Sequence, residues 1–331
     1  MRDRLNSPSV RPFLLLLAIV LAFCIVDWGH GRFVNRATVF SVLQQFATIG
    51  PVALGLGLTM IAREFDLSVG SLMSLAGCVA VMLGGEHPLV GVAAAMLVGA
   101  MTGLTQGAIM VWLRLSSVGV TLGGLLTIGG IAYVLTDNTT IGYPRMDIAM
   151  MVNAPVLGVL SLRNIVAIAL FAIATFLFFA TRLGRDTTAV GSDPRAALVA
   201  GVSVDRMLIG IFAISGILTA LAGALLSYSL AAASPVALVD ALVPATAAAI
   251  IGGVSLAGGR GTPIGIAGGV LVLCVLRSGL TAIGVPPFVH DIVTGGVLLA
   301  VALLDAPDLQ RRLFALRRVG SACTQQTRRT P

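Results

Sequence analysis

Met207-Leu208-Ile209-Gly210-Ile211-Phe212-Ala213-Ile214-Ser215-Gly216-Ile217-Leu218-Thr219-Ala220-Leu221-Ala222-Gly223-Ala224-Leu225-Leu226-Ser227-Tyr228-Ser229-Leu230 runs without one charged side chain. A helix rises about 1.5 Å per residue, so such a run reaches across the roughly 30 Å hydrocarbon layer of a bilayer. A transmembrane barrel would instead show alternating segments of about ten residues. Comparable runs recur along the chain, 57% of whose 331 residues are hydrophobic and 11% charged. Its mean hydropathy is +1.01. No ordinary soluble domain has that composition; the chain reads as an all-α, polytopic membrane protein.

Outward from that run, the same criterion predicts about ten transmembrane helices. Six precede it, over Pro12–Val26, Val39–Ala62, Leu67–Leu83, Leu89–Trp112, Val118–Leu135 and Asn164–Ala180. Three follow it, over Ala241–Leu256, Pro263–Ile283 and Phe288–Leu304. The first resembles the start of a signal peptide, but bulky Phe23 precedes Cys24 and no Ala-x-Ala follows, so an uncleaved span is expected. Pro51 removes a helical hydrogen bond from the second span, where a kink is expected.

Arginine placement orients the chain. Arg2, Arg4, Arg11, Arg63, Arg114, Arg182, Arg185, Arg195, Arg206, Arg260 and the arginines from Arg311 to Arg329 fall on one side of these spans. Arg32, Arg36, Arg145 and Arg163 fall on the other, and Arg277 near an outer end can snorkel. The positive-inside rule then predicts both termini in the cytoplasm. The expected organisation is a cytoplasmic segment 1–11, a transmembrane domain 12–305 with a cytoplasmic loop 181–206, and a cytoplasmic tail 306–331. Residues 136–163 form a long outer loop, a candidate docking surface or simply a tolerated length.

Several chemistries are excluded. The sequence has no lysine, hence no Walker A lysine and no Schiff-base lysine. If ATP drives this protein, another subunit binds it. A net charge of +7 could suggest nucleic acid, but the arginines flank apolar segments and form no basic face. Cys24, Cys78, Cys274 and Cys323 are far apart, as are His30, His87 and His290, so neither a disulfide framework nor a metal site is indicated. No paired carboxylate, Ser-His or His-Glu arrangement supports a membrane enzyme.

Three stretches carry other signals. Gly191-Ser192-Asp193-Pro194-Arg195-Ala196-Ala197-Leu198-Val199-Ala200-Gly201 reads as a two-turn helix, with Asp193 as N-cap, Pro194 in the first turn and Gly201 as a left-handed stop. A small alanine-faced helix suits docking in another protein's groove, though a helical elbow in a long loop would look the same. Asp66-Leu67-Ser68-Val69-Gly70-Ser71 places Asp66 to cap the next helix, with Ser68 and Ser71 available for local bonds; gating is the alternative. Glycines at four-residue spacing, Gly99, Gly103 and Gly107, and again Gly261, Gly265 and Gly269, form faces on which helices can approach closely. Gln106 lines a polar path or bonds a neighbouring helix.

Together with Gly252-Gly253-Val254-Ser255-Leu256-Ala257-Gly258-Gly259-Arg260-Gly261, the Asp66–Ser71 and Gly191–Gly201 segments resemble the permease subunits of bacterial ribose, xylose, galactose and autoinducer-2 ABC importers, in order and spacing, from about Thr38 to Asp305. The resemblance implies an inner-membrane permease that pairs with a second permease subunit, a cytoplasmic ATPase holding ATP and Mg, and a periplasmic sugar-binding protein. This chain itself would bind no cofactor or metal. It further implies that Gly191, Asp193, Pro194, Arg195, Ala196, Ala197 and Gly201 make the ATPase-coupling segment, and that Asp66, Ser68, Gly70, Ser71, Gly258, Gly259, Arg260 and Gly261 are family motif positions with a possible gating role. Family members commonly carry Gly-Asn where this chain has Ser192-Asp193; both Asn and Asp cap helices. A branched-chain amino-acid permease shares the architecture, and an ion-coupled secondary transporter would also be polytopic but usually carries ionisable residues in mid-span.

Overall fold

A computed structural model describes residues 10–28, 31–156, 158–236 and 239–305. Residues 1–9 of the expected N-terminal segment and the expected tail 306–331, with Cys323, lie outside the described residues. The elements in order are α1 (Arg11–Val26), α2 (Arg36–Ile61), α3 (Val69–Leu83), α4 (Pro88–Leu113), α5 (Ser117–Leu135), β1 (Ile141–Gly142), α6 (Met146–Asn153), α7 (Leu162–Ala180), α8 (Arg182–Ser192), α9 (Pro194–Val199), α10 (Val204–Leu230), β2 (Ala232–Ala233), a 3-10 turn (Val239–Ala241), α11 (Leu242–Ile251) and α12 (Pro263–Ala282). A last helix, α13 (Pro287–Asp305), belongs to a separate unit that begins at Pro286 and is described by itself.

Six helices, α2, α4, α5, α7, α10 and α12, are long and apolar enough to cross a bilayer, and α1, α3, α11 and α13 are shorter apolar helices. The expected set of apolar helices is therefore present, but the eighth is shorter than the sequence predicts. Expected to run to Leu256, α11 has 10 residues and rises only about 15 Å. Gly253 ends it in the left-handed conformation, φ +86°, with the Gly253 N–H on Ile250 O and the Val254 N–H on Ala249 O. A side chain with a Cβ would resist that turn. Helix α2 is continuous through Pro51.

The core is built around α2 and α10. Helix α10 packs on α2, α3 and α4, while α2 also meets α7, α11 and α12. Val52, Leu54, Leu56 and Ile61 of α2 are fully buried, as are Phe212, Ala220 and Tyr228 of α10. The outward faces of α4, α5 and α7 carry Leu97, Met101, Leu126, Val134, Phe176 and Phe179 exposed, the apolar surface a lipid solvent accepts.

Between membrane helices the hydrophobic effect discriminates weakly, so backbone approach must supply the contact. Gly99 lies on the Gly216 carbonyl, Gly103 on the Phe212 carbonyl and Gly107 on the Ile209 Cα. A Cβ at any of the three would stand 2.9 Å or less from α10 backbone. Gly265 and Gly269 meet Gly252 and the Ala248 carbonyl of α11 in the same way. On α5, by contrast, Gly119, Gly123 and Gly130 face open space.

One end of the bundle is closed by an unexpected cap in the 136–161 segment. β1 pairs antiparallel with β2, Ile141 opposite Ala233 and Gly142 opposite Ala232. Tyr143 Oη donates to Gly84 O at 2.9 Å, and Tyr228 Oη lies 2.9 Å from Ala80 O and 3.0 Å from Pro88 O. The two rings, 4.8 Å apart, thus clamp the turn between α3 and α4.

These contacts predict opposite outcomes for two chemically identical changes. Gly103→Ala forces a methyl into an immovable carbonyl and should cost about 1–3 kcal/mol, whereas Gly123→Ala meets nothing and gains up to about 1 kcal/mol of helix propensity. Thermal denaturation of the detergent-solubilised variants checks both; equal melting temperatures would show that the α4–α10 contact is slack.

Candidate functional site

At the other end, the three sequence motifs meet. The last four carbonyls of a helix have no partner inside it, and α2 shows where each of its own goes. Leu58 O accepts from Ala62 N–H, Met60 O from Arg63 N–H and Thr59 O from Glu64 N–H. The fourth, Ile61 O, accepts from the N–H of Gly259 at 2.8 Å, a residue of the distant connection between α11 and α12. Arg63 makes this possible by taking the left-handed position usually held by glycine, φ +68°, at a cost of roughly 1–2 kcal/mol.

Gly191, in the last turn of α8, closes the junction. It is buried, and a Cβ there would run into Ile61 O and lie 2.6 Å from Gly259 N. A Cβ on Gly258 would lie 2.7 Å from Gly191 O, and one on Gly259 2.9 Å from the Ser192 Cα. Gly261 approaches the Ile61 side chain. Three segments far apart in sequence are therefore in backbone-to-backbone contact. Arg260 is exposed and contributes its carbonyl to the turn, accepting from Ser255 N–H.

Directly beyond this junction lies α9. Asp193 is its N-cap, the carboxylate accepting from Arg195 N–H at 2.9 Å and Ala196 N–H at 3.2 Å, and Pro194 occupies the first turn. Gly201, φ +88°, places its N–H on Leu198 O and passes the Val202 N–H to Ala197 O, the paired bonds of a left-handed stop. The alanines differ from expectation. Helix α9 packs on α8 and α10, so one side is covered, and Ala197 lies on it, 3% exposed. Ala196 faces out, but the apolar surface there belongs to Leu198 and Val199, 64% and 90% exposed. Gly191, expected on the same docking segment, is turned inward as well.

The Asp66 motif also departs from its local reading. Asp66 does not cap α3; the N-cap position is Ser68. Instead the carboxylate, 2% exposed, accepts from the Ser68 N–H at 3.0 Å, from Ser68 Oγ at 2.7 Å and from Ser215 Oγ of α10 at 3.4 Å. Gln106 of α4 donates from Nε2 to Ser68 Oγ at 3.0 Å. One residue earlier, Phe65 N–H donates to Ser117 Oγ, and Thr121 Oγ1 donates to Phe65 O. The 62–68 connection thus ties α2 and α3 to α4, α5 and α10. Gly70 and Ser71 are buried in the first turn of α3, Ser71 facing Gly129 of α5.

This connection lies outside the spanning helices, and burial pushes the Asp66 carboxyl above the usual carboxylate range despite the Ser68 and Ser215 hydrogen bonds. Burial pushes the half-buried Glu64 carboxyl up as well. A raised folded-state pKa means that ionisation opposes folding. The contribution is favourable below the ordinary pKa and is lost as pH rises through the raised one.

Sequence reasoning did not find Ser215, Ser117 or Thr121, whose hydroxyls carry no local signal, nor the buried position of Arg163 at the opposite end, where Nη1 donates to Ser229 Oγ and Nη2 to Thr48 Oγ1.

Residues 38–302 match the family described as branched-chain amino acid transport system / permease component. The chain is 30% identical to the xylose transport system permease protein XylH of Haemophilus influenzae, over 93% of this chain and 99% of that one. It is 33% identical to the ribose import permease protein RbsC of Escherichia coli K12, over 88% and 92%. The fructose import permease protein FrcC of Rhizobium meliloti is 31% identical over 91% and 86%. No solved structure matches.

For the polar cluster, Asp66→Asn should leave the melting temperature at or above that of the wild type, because it keeps an acceptor and removes a desolvated charge. Asp66→Ala strands the Ser68 N–H and the Ser215 hydroxyl and should cost about 1–3 kcal/mol. The wild type should lose stability more steeply as pH rises than Asp66→Asn, which keeps only the Glu64 contribution; parallel pH profiles in calorimetry would contradict the assignment.

Proposed function

This chain belongs to the branched-chain amino acid transport system / permease component family, and from that premise we propose that it is the membrane-spanning subunit of an ATP-driven importer for a monosaccharide. It is a multi-pass protein of the inner membrane, and the observation that carries the sugar reading is its near full-length similarity to permeases named for xylose, ribose and fructose. The family description names branched-chain amino acids, but those relatives do not favour that substrate, nor an ion-coupled carrier. The arginine asymmetry supports placing the 62–68, 181–203 and 252–262 connections and both termini in the cytoplasm.

On this reading ATP and Mg act on a separate cytoplasmic ATPase, which receives α9. Leu198 and Val199 support that role, since two large aliphatic side chains on a capped two-turn helix are left uncovered by the described residues. Gly191 and Gly259 connect the helix to the end of α2 without an intervening side chain. A push on α9 therefore reaches Ile61, and through Arg63–Phe65 the Asp66 cluster, along backbone. A periplasmic binding protein delivers the sugar at the capped end, and a second permease subunit completes the path.

Val199→Arg places a charge on the docking face, where exposure protects the fold. The variant should reach the membrane with a normal melting temperature, fail to copurify its ATPase and lose uptake. Ala197→Arg should instead destabilise the chain itself, because Ala197 is buried, while Asp193→Ala should cost about 1 kcal/mol and only reduce uptake. Normal ATPase recovery and uptake in Val199→Arg would reduce α9 to an elbow in the loop.

A further inference from the structure

Arg163 is a buried cation to which the described residues offer no anion. It is 4% exposed, makes no ion pair with any described residue, and has Nε without a hydrogen-bond partner. A guanidinium cannot shed its charge, so its burial is costly and needs a structural return.

That return is the orientation of Ser229 and Asn153. Because Arg163 Nη1 donates to Ser229 Oγ at 2.7 Å, the Ser229 hydroxyl hydrogen is directed to Asn153 Oδ1, also 2.7 Å away. Asn153 Nδ2 in turn gives its hydrogens to Ser229 O at 2.9 Å and Ala149 O at 3.1 Å. Every donor of the pair is used. What remains is the second lone pair of Ser229 Oγ and that of Asn153 Oδ1.

Both residues line an open cleft of about 340 Å³, walled in part by Met146, Met150 and Leu230. The cleft faces water, since the irregular backbone of the β1–β2 cap cannot face lipid and the exposed Arg145–Asp147 ion pair flanks Met146. Its volume is that of a small-ligand site. Two acceptors beside thioether walls fit a neutral ligand with hydroxyl donors on one edge and C–H groups on its face, and they offer no hydrogen to an ether oxygen.

We infer that this cleft, with Ser229 and Asn153 as contacts and Arg163 as the positioning residue behind them, is a weak binding site for a neutral monosaccharide on this chain itself. The choice of sugar probes rests on the transport reading; the acceptor chemistry of the cleft does not.

The test is equilibrium binding of D-ribose, D-xylose and D-fructose to the full chain in lipid nanodiscs, by saturation-transfer NMR, with 1,4-dioxane as a neutral ring control without hydroxyls. Saturable binding of at least one neutral sugar in the millimolar range is expected, with dioxane at least about tenfold weaker. Ser229→Ala should weaken binding about five- to tenfold, the effect of one hydrogen bond. Arg163→Gln should narrow the sugar-to-dioxane ratio, because the Ser229 hydroxyl is freed to donate to an ether oxygen, which a purely structural role would leave alone. Should either variant fail to fold, Met150→Ala decides, since Met150 is 64% exposed and its truncation spares the fold while removing one wall. The proposal is overturned if no neutral sugar binds saturably, if dioxane binds as well as the sugars, or if Ser229→Ala and Met150→Ala both keep wild-type affinity. Absent binding in a chain that still supports sugar uptake would remove this site and leave the transport reading standing.

Discussion

The carbonyl of Ile61 must find a hydrogen-bond donor, and none is available within its own helix. In a protein whose surroundings are lipid and packed side chains, an unpaired backbone oxygen costs several kcal/mol. The N–H of Gly259 meets that demand, and the glycines at 191, 258 and 259 exist as glycines because nothing larger fits around the bond. Around this one contact the ends of α2, α8 and the α11–α12 connection are fixed, and from them α9 and the Asp66 cluster take their positions.

The two ends of the bundle use different physics. Where the motifs meet, backbone touches backbone and the polar side chains converge on one buried carboxylate. At the capped end, side chains do the work, with two tyrosines holding a turn and Arg163 held by hydroxyls. Helix α10 belongs to both ends, carrying Ser215 near one and Ser229 near the other. A rearrangement at either end therefore acts on the same rigid element.

Much of this was legible in the sequence where the signal is local. Apolar runs marked the helices, and Asp193, Pro194 and Gly201 marked the limits of α9, because capping involves residues within a few positions of each other. Legibility stopped where partners are distant. Ile61 and Gly259 meet through backbone atoms, which every residue possesses, so no side chain announces the bond. Asp66 looked like a cap because Ser68 is its neighbour, and its third partner, on α10, is invisible locally. Ala196 and Ala197 are indistinguishable in type and are separated only by the packing of α9 on α8 and α10. Arginine counting placed Arg163 at an outer surface, whereas the fold buries it, and Gly252-Gly253 interrupts an apolar run that hydropathy reads as continuous. Two-residue strands such as β1 and β2 are too short to show alternation.

The junction at Ile61 also constrains how the protein is made. Helix α2 is synthesised and inserted early, and its terminal carbonyl stays unanswered until the ribosome reaches Gly259, after α10 and α11. The β1 strand waits in the same way for β2. No nascent chain shorter than this can be native at that end, so the first helices must persist in the bilayer as provisional neighbours. The glycine-rich connection before α12 is thus the point in biogenesis at which the end of α2 first meets its donor.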